Sequence, residues 1–363
     1  MLSIASELST LESKGLLRGL ETPRGLDLAS NDYLGFARDS RIQQALVEYL
    51  STPRVLGSTG SRLISGENLE IETCEKFLAQ SFASEAALLF GSGYLANLGV
   101  VSALGGADVD IFSDELNHAS LIDGARLSRS KTHVFRHNDV DHLAALLSAS
   151  QKARVIVTES VFSMDGDQAP LREIIALARQ YEAHLIVDEA HAVGVFGTNG
   201  LGLMQDLDFD RERTLIVHTC GKALGSYGAF VCTSRQLKHY LINKARSLIF
   251  TTALSPIQVE QIRVAVSLLL SDSKPRMQLR ENMAWVKERG YMFFESHIWP
   301  LIVPGNKAVV QAAERLRARG FFVKAIRSPT VPEGEERLRL TLKSFHTQAD
   351  LEALISALDE VLP

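Results

Sequence analysis

Three cysteines, Cys74, Cys220 and Cys232, are too few and too scattered for a disulfide framework, and no Cys-x-x-Cys pair offers a structural zinc site. Apolar runs of the ~18 to 20 residues needed for a membrane-spanning helix are missing. The first residues carry Glu7 and Glu12 where a secretory signal needs a basic end and an apolar stretch. Nor does one charge dominate: 38 Lys+Arg against 43 Asp+Glu leave a net charge of −5, with no basic run to meet nucleic acid or an anionic membrane. The expectation is a reduced, cytoplasmic protein acting on small molecules, with no nucleic-acid or membrane partner. Two motifs are also lacking. There is no G-x-S-x-G elbow, and Gly221-Lys222 is followed by Ala223, so no P-loop supports reading Asp188-Glu189-Ala190-His191 as a helicase box.

What is present is 46% hydrophobic over 363 residues, enough for two domains at ~150 residues each. Strand-length apolar runs at 86–90, 109–112, 132–135, 155–158, 185–187, 215–218 and 228–232 alternate with helical patterns such as 69–82 and 171–181. Alternation of this kind predicts an α/β domain with a mostly parallel central sheet flanked by helices. We expect an N-terminal arm over 1–40, a large α/β domain over 41–272 and a smaller C-terminal α+β domain over 273–363. The last is read as a helix through Phe294, a strand at 301–303, a helix over 308–319, a hairpin of 321–326 with 337–342, and a helix from Ala349.

Gly91-Ser92-Gly93-Tyr94-Leu95-Ala96 follows a strand and opens a helix, so its N–H groups suit a phosphate; the letters also fit a loose dinucleotide fingerprint. Asp188 ends a buried strand and His191 stands three residues on, at the edge where open α/β sheets bind ligands. Lys222 sits among Gly221, Gly225 and Gly228 after another strand, where desolvation favours Schiff-base or proton-shuttle chemistry. His137-Asn138-Asp139-Val140-Asp141-His142 has metal-ligand letters but reads as a helix cap, so no metal is expected. Arg327 and Arg339, on opposite hairpin arms, can face one carboxylate, although solvated edge-strand arginines are commoner. Arg337 shares a strand face with Arg339, so at least one of the two is expected at the surface. An anion site, a strand-end acid and a glycine-flanked lysine together answer the needs of pyridoxal 5'-phosphate. A nicotinamide-dependent oxidoreductase built on the Gly91-x-Gly93 turn is the alternative from another class.

On Val187-Asp188-Glu189-Ala190-His191 and Thr219-Cys220-Gly221-Lys222, together with Ser30-Asn31-Asp32-Tyr33-Leu34-Gly35, Gly60-Ser61-Arg62-Leu63, Asp114-Glu115-Leu116-Asn117-His118-Ala119-Ser120 and Ser160-Val161-Phe162-Ser163-Met164-Asp165-Gly166-Asp167, the chain resembles the α-oxoamine synthases, fold-type I pyridoxal-phosphate transferases, over essentially its whole length. The resemblance implies that Lys222 forms the Schiff base, Asp188 pairs with the ring nitrogen, His191 and Ser163 lie near the ring's phenolic oxygen, and His118 stacks on the ring. Gly93, Tyr94 and Thr219 would complete the cofactor site, with Thr251 from a partner in a homodimer. Arg18, Asn31, His118, Arg327, Thr330 and Arg339 match substrate positions. The activity implied is a decarboxylative Claisen condensation of L-alanine with a pimeloyl thioester of coenzyme A or of an acyl carrier protein. Other family members use glycine or serine. The sequence departs from the family in a compact leader between Leu17 and Ser30, and in Glu189 where many relatives carry Asp.

Overall fold

The computed structural model describes residues 3–291 and 296–362, and the chain divides into two compact units. The larger comprises residues 34–163 and 167–276; the smaller is assembled from residues up to Tyr33, the segment 164–166 and residues from Met277 onward. The leader through Tyr33 therefore groups with the C-terminal residues instead of standing apart as an arm. Leu26 and Asp27 pair in parallel with Phe321 and Phe322, which is what ties it there.

In the larger unit seven strands form one sheet: β1 (Ala86–Phe90), β2 (Val109–Asp114), β3 (Lys131–Phe135), β4 (Ala153–Glu159), β5 (His184–Asp188), β6 (Thr214–Thr219) and β7 (Ala229–Thr233). Their order is β1-β7-β6-β5-β4-β2-β3, and only β7 runs antiparallel to its neighbours. Every residue of β1 and β7 is buried, which is why these strands read as unbroken apolar runs and not as alternating ones. Helix Gly93–Leu104 contributes Ala96, Val100 and Val101 to the same core as Leu88, Ile111, Val155, Ile186, Leu215 and Val231. Each fully buried Val or Leu there stabilises by about 1.5–3 kcal/mol relative to exposure.

This topology removes the dinucleotide reading. β1 pairs only with the antiparallel β7, and the strand that follows helix Gly93–Leu104, β2, lies between β4 and β3. The βαβ unit that the fingerprint requires is not formed at this turn.

The smaller unit has a three-stranded antiparallel sheet of Lys324–Ile326, Arg337–Thr341 and Ile298–Ile302, with helices Asn306–Ala318 and Gln348–Val361. The helix expected to reach Phe294 spans Lys274–Glu288, and Phe294 lies outside the described residues. The expected hairpin arm 321–326 is split at the fully buried Val323, its first half joining Leu26–Asp27 and its second Arg337–Arg339. Arg337–Thr341 is consequently central, flanked on both sides, and neither of its arginines is at the surface. Arg337 is 2% exposed and bonds Asp165 and Glu335, and Arg339 is 8% exposed. The expected solvent-facing arginine is absent because both faces of that strand are covered: every residue of Arg337–Thr341 is buried.

Candidate active site

Parallel strands of the larger unit end together, so their last residues converge: Glu159 of β4 lies beside Asp188 of β5, and Thr219 ends β6. Asp188 is buried. Asn97 Nδ2 donates to its Oδ2 at 2.6 Å and the Ala190 N–H to its Oδ1 at 2.8 Å. A carboxylate offers about four acceptor sites, so capacity remains for a further N–H such as a protonated ring nitrogen.

Lys222 lies in the turn after β6, between the buried Cys220 and Ala223. The turn closes through Gly225, whose N–H donates to the Lys222 carbonyl at 2.8 Å. Gly225 has a φ of 58°, and a Cβ there would stand 2.2 Å from the Ala37 nitrogen, so only glycine lets the loop pack this closely. Lys222 Nζ lies 2.6 Å from Nε2 of the buried His191. The lysine, the histidine and the Asp188 strand end therefore belong to one site, as their spacing in sequence suggested.

Ser92 caps helix Gly93–Leu104, its hydroxyl accepting the Leu95 N–H at 3.2 Å. A Cβ on Gly93 would meet Thr219 Oγ1 at 3.1 Å, which places the helix N-terminus against the end of β6. Unsatisfied N–H groups and the helix dipole make this end a receptor for an anion. Tyr94 is exposed, its hydroxyl bonded to Asp123 and its ring edge-on to His118 with centroids 6.5 Å apart.

His118 caps helix Ala119–Ser128, and its backbone N–H donates to Glu159 Oε1 at 2.6 Å. Burial and the Asp188 charge push the Glu159 carboxyl up to about 8, so it is protonated at neutral pH. Burial lowers the pKa of His118, opposed by Asp188 and assisted by Lys222, which favours the neutral ring. Ser163 follows β4 in the turn closed by the Val161–Gln168 bridge. Thr251 is half-buried and lines a small cavity with Arg62, Gly91 and Leu254.

Of the His137 segment, Asp139 caps helix Val140–Ala149 by accepting the His142 N–H at 2.8 Å. His137 bridges Asp114 at 2.9 Å and Asp167 at 2.7 Å. Burial opposes its charge, but these two carboxylates outweigh it and raise the pKa to about 10.

Within the smaller unit, Arg18, Arg327 and Thr330 line one groove of ≈ 990 Å³ with Leu8, Leu16 and Leu17. Arg327 Nη1 donates to the Gly15 carbonyl and, at 3.5 Å, to that of Leu17, while Arg339 donates to Asn31 Oδ1 at 3.2 Å. The two arginines thus bond different protein groups: Arg339 pairs across the sheet with Lys324, and Arg327 lies beyond the paired residues.

Sequence reasoning gave no role to Asn97, Ser120 and Glu159. A signal existed for Asn97: it is a lone amide on an otherwise apolar helix, Gly93-Tyr94-Leu95-Ala96-Asn97-Leu98-Gly99-Val100-Val101, where a buried polar side chain requires a partner.

The chain belongs to the class I and II aminotransferase family, whose profile matches residues 23–358. Within that family its likeness is to the α-oxoamine synthases. It is 44% identical to an 8-amino-7-oxononanoate synthase of Alkalilimnicola ehrlichii, over 92% of this chain and 87% of that one. Among solved structures, a serine palmitoyltransferase of Sphingomonas wittichii superimposes with a TM-score of 0.88 at 28% identity, covering 99% of this chain and 96% of that one. An 8-amino-7-oxononanoate synthase from Francisella tularensis gives 0.79 at 28% identity, covering 93% and 98%.

Proposed function

We propose that this chain is an acyltransferase that condenses L-alanine with a pimeloyl thioester, releasing 8-amino-7-oxononanoate, CO2 and the free thiol, in biotin biosynthesis. Its cofactor is pyridoxal 5'-phosphate. The observation that carries the reading is the placement of Lys222 Nζ 2.6 Å from His191 Nε2 in the site where Asp188 ends its strand. The donor set fits the cofactor: a primary amine for its aldehyde, a buried carboxylate for its ring nitrogen and a helix N-terminus for its phosphate.

When bound, pyridoxal phosphate supplies an electron sink for the charge left at the alanine Cα. Lys222 would hold the cofactor's aldehyde carbon and, displaced by the substrate amine, take the Cα proton on Nζ. Asp188 would keep the proton on the ring nitrogen. His191 and Ser163 would hydrogen-bond the ring's phenolic oxygen, and Gly93, Tyr94 and Thr219 would bind the phosphate. A partner copy's Thr251 would complete that pocket in a homodimer. His118 would lie over the ring and donate to the thioester carbonyl. Asn31 and Arg339 would take a substrate carboxylate, while Arg18, Arg327 and Thr330 line a groove whose leucines and guanidinium groups suit an acyl chain ending in a carboxylate. The acyl donor is a thioester of coenzyme A or of a carrier protein. Among the described residues no helix is long and apolar enough to cross a membrane, in keeping with a cytoplasmic enzyme.

The test is the visible absorption spectrum of the purified protein, titrated with L-alanine, glycine and L-serine, followed by product mass after adding the thioester. A band that shifts with alanine, and a product of the expected mass, support the reading. A response to glycine or serine alone would move the enzyme to another member of the family, and a colourless protein after incubation with the cofactor would overturn it.

A further inference from the structure

Two side chains with no assigned part in cofactor or substrate binding, Asn97 and Ser120, join Asp188 to His118. Asn97 is 1% exposed, and its Nδ2 donates to Asp188 Oδ2 at 2.6 Å and to Ser120 Oγ at 2.9 Å. A carboxylate only accepts, so the NH2 group must face Asp188; the Asn97 Oδ1 is correspondingly buried with no hydrogen-bond partner among the described residues. Ser120 is fully buried, and its Oγ, already accepting from Asn97, lies 2.8 Å from His118 Nδ1. The backbone N–H of Ser120 donates to the same Nδ1 at 3.2 Å, and an N–H cannot accept. His118 Nδ1 is therefore the unprotonated nitrogen of a neutral ring, the Ser120 hydroxyl hydrogen is directed at it, and the ring proton sits on Nε2.

We propose that Asn97 and Ser120 are positioning residues that hold His118 as its Nε2–H tautomer, so that the ring offers the substrate carbonyl a hydrogen-bond donor and not a base. The same Asn97 amide orients the Asp188 carboxylate, which makes one side chain responsible for aligning both the acid that would hold the ring nitrogen and the histidine that would meet the substrate. The groups that face His118 are Asp188 from β5, Lys222 from the turn after β6, Glu159 at the end of β4 and Asp123 of its own helix. Asp188 and Asp123 favour a charged ring; burial and Lys222 oppose it, and the two Ser120 donors favour the neutral form further. The proposal rests on His118 facing the substrate carbonyl. Its test is read on the histidine itself, with and without cofactor, so it fails independently of that reading.

Full-length protein labelled with ¹⁵N-histidine, with His118 assigned by comparison with H118Q, is titrated by NMR. In the wild type, Nδ1 should resonate as an unprotonated and Nε2 as a protonated nitrogen. S120A removes one of two donors to Nδ1 and should raise the His118 pKa by roughly 0.4–1 unit, the equivalent of one neutral hydrogen bond. S120T keeps a hydroxyl and should restore the wild-type value. N97A, if it folds, should act in the same direction as S120A. On the loaded enzyme S120A should lower kcat more than it raises KM for alanine. A wild-type proton on Nδ1, or an S120A protein that melts normally yet keeps the wild-type His118 titration, overturns the proposal.

Discussion

Replacing Asp188 by asparagine changes one oxygen for an NH2 group, and the structure makes the consequences separable. Both Asp188 oxygens accept an N–H, one from Asn97 and one from Ala190, so the new NH2 must face a donor in either orientation. A flip of Asn97 only transfers the mismatch, forcing the Ser120 hydroxyl away from His118. Leaving such a buried group unsatisfied costs about 1–3 kcal/mol of stability. Independently, losing a charged hydrogen bond to the ring nitrogen costs about 1.5–3 kcal/mol in the transition state, or roughly 10- to 150-fold in rate. The assay is exchange of the alanine Cα hydrogen for deuterium in D2O, followed by proton NMR alongside thermal melting. D188N should lose both stability and exchange. The reciprocal pair N97D/D188N restores donor–acceptor pairing between the two positions while moving the charge away from the ring nitrogen, so it should recover melting but not exchange. Exchange within threefold of wild type in D188N, or its recovery in the reciprocal pair, would refute the assignment of Asp188.

Lys222→Ala should abolish Cα exchange while leaving the fold intact by circular dichroism; residual turnover above about 1% of wild type would point to another base. Burial pushes the carboxyls of Glu159 and Glu189 up to about 8, so the native state holds more protons than the unfolded chain from about 4.5 upward, and stability falls as pH rises through that range. E189Q should flatten the decline in melting temperature between pH 5 and 9, since its side-chain oxygen can still accept the Met204 N–H that Glu189 Oε1 takes at 2.9 Å; an unchanged slope would contradict the buried, protonated state. His137, raised to about 10, contributes stability that is complete below its unfolded value near 6.5 and lost as pH climbs toward 10, so H137Q should lower the melting temperature at pH 6 more than at pH 10. Arg327→Ala should raise KM for the acyl thioester by roughly 10- to 150-fold, the loss of a charged hydrogen bond, with kcat nearly unchanged. Unaltered kinetics would leave Arg327 with only its bonds to the Gly15 and Leu17 carbonyls.

Much of the larger unit is legible because parallel strands covered on both faces must be apolar throughout, and residues at their ends must meet. Lys222, His191 and Asp188 stand out since glycine spacing and strand-end position act over a few residues. Asn97 is legible only in part: a lone amide on an apolar helix says that a partner is required, but the partner, Asp188, is 91 positions away. Arg337 misleads for a related reason: alternation along a strand predicts exposure only if one face of the sheet is open to solvent, and here every residue of Arg337–Thr341, on both faces, is buried. The smaller unit is harder to read at its start, since Leu26–Asp27 finds its partner, Phe321–Phe322, across nearly the whole chain.

That last property shapes the order in which the protein is made. Leu28 receives the Thr341 N–H and hydroxyl as hydrogen bonds, a link spanning 313 residues. At translation rates of ~5–20 residues per second, the early segment waits about 16 to 60 s for its partners to be synthesised. Meanwhile nearly all of the larger unit emerges as one stretch and has everything its sheet requires. Closure of the smaller unit thus follows formation of the larger sheet, and Leu28 and Tyr33, buried in the finished fold, stay uncovered until then.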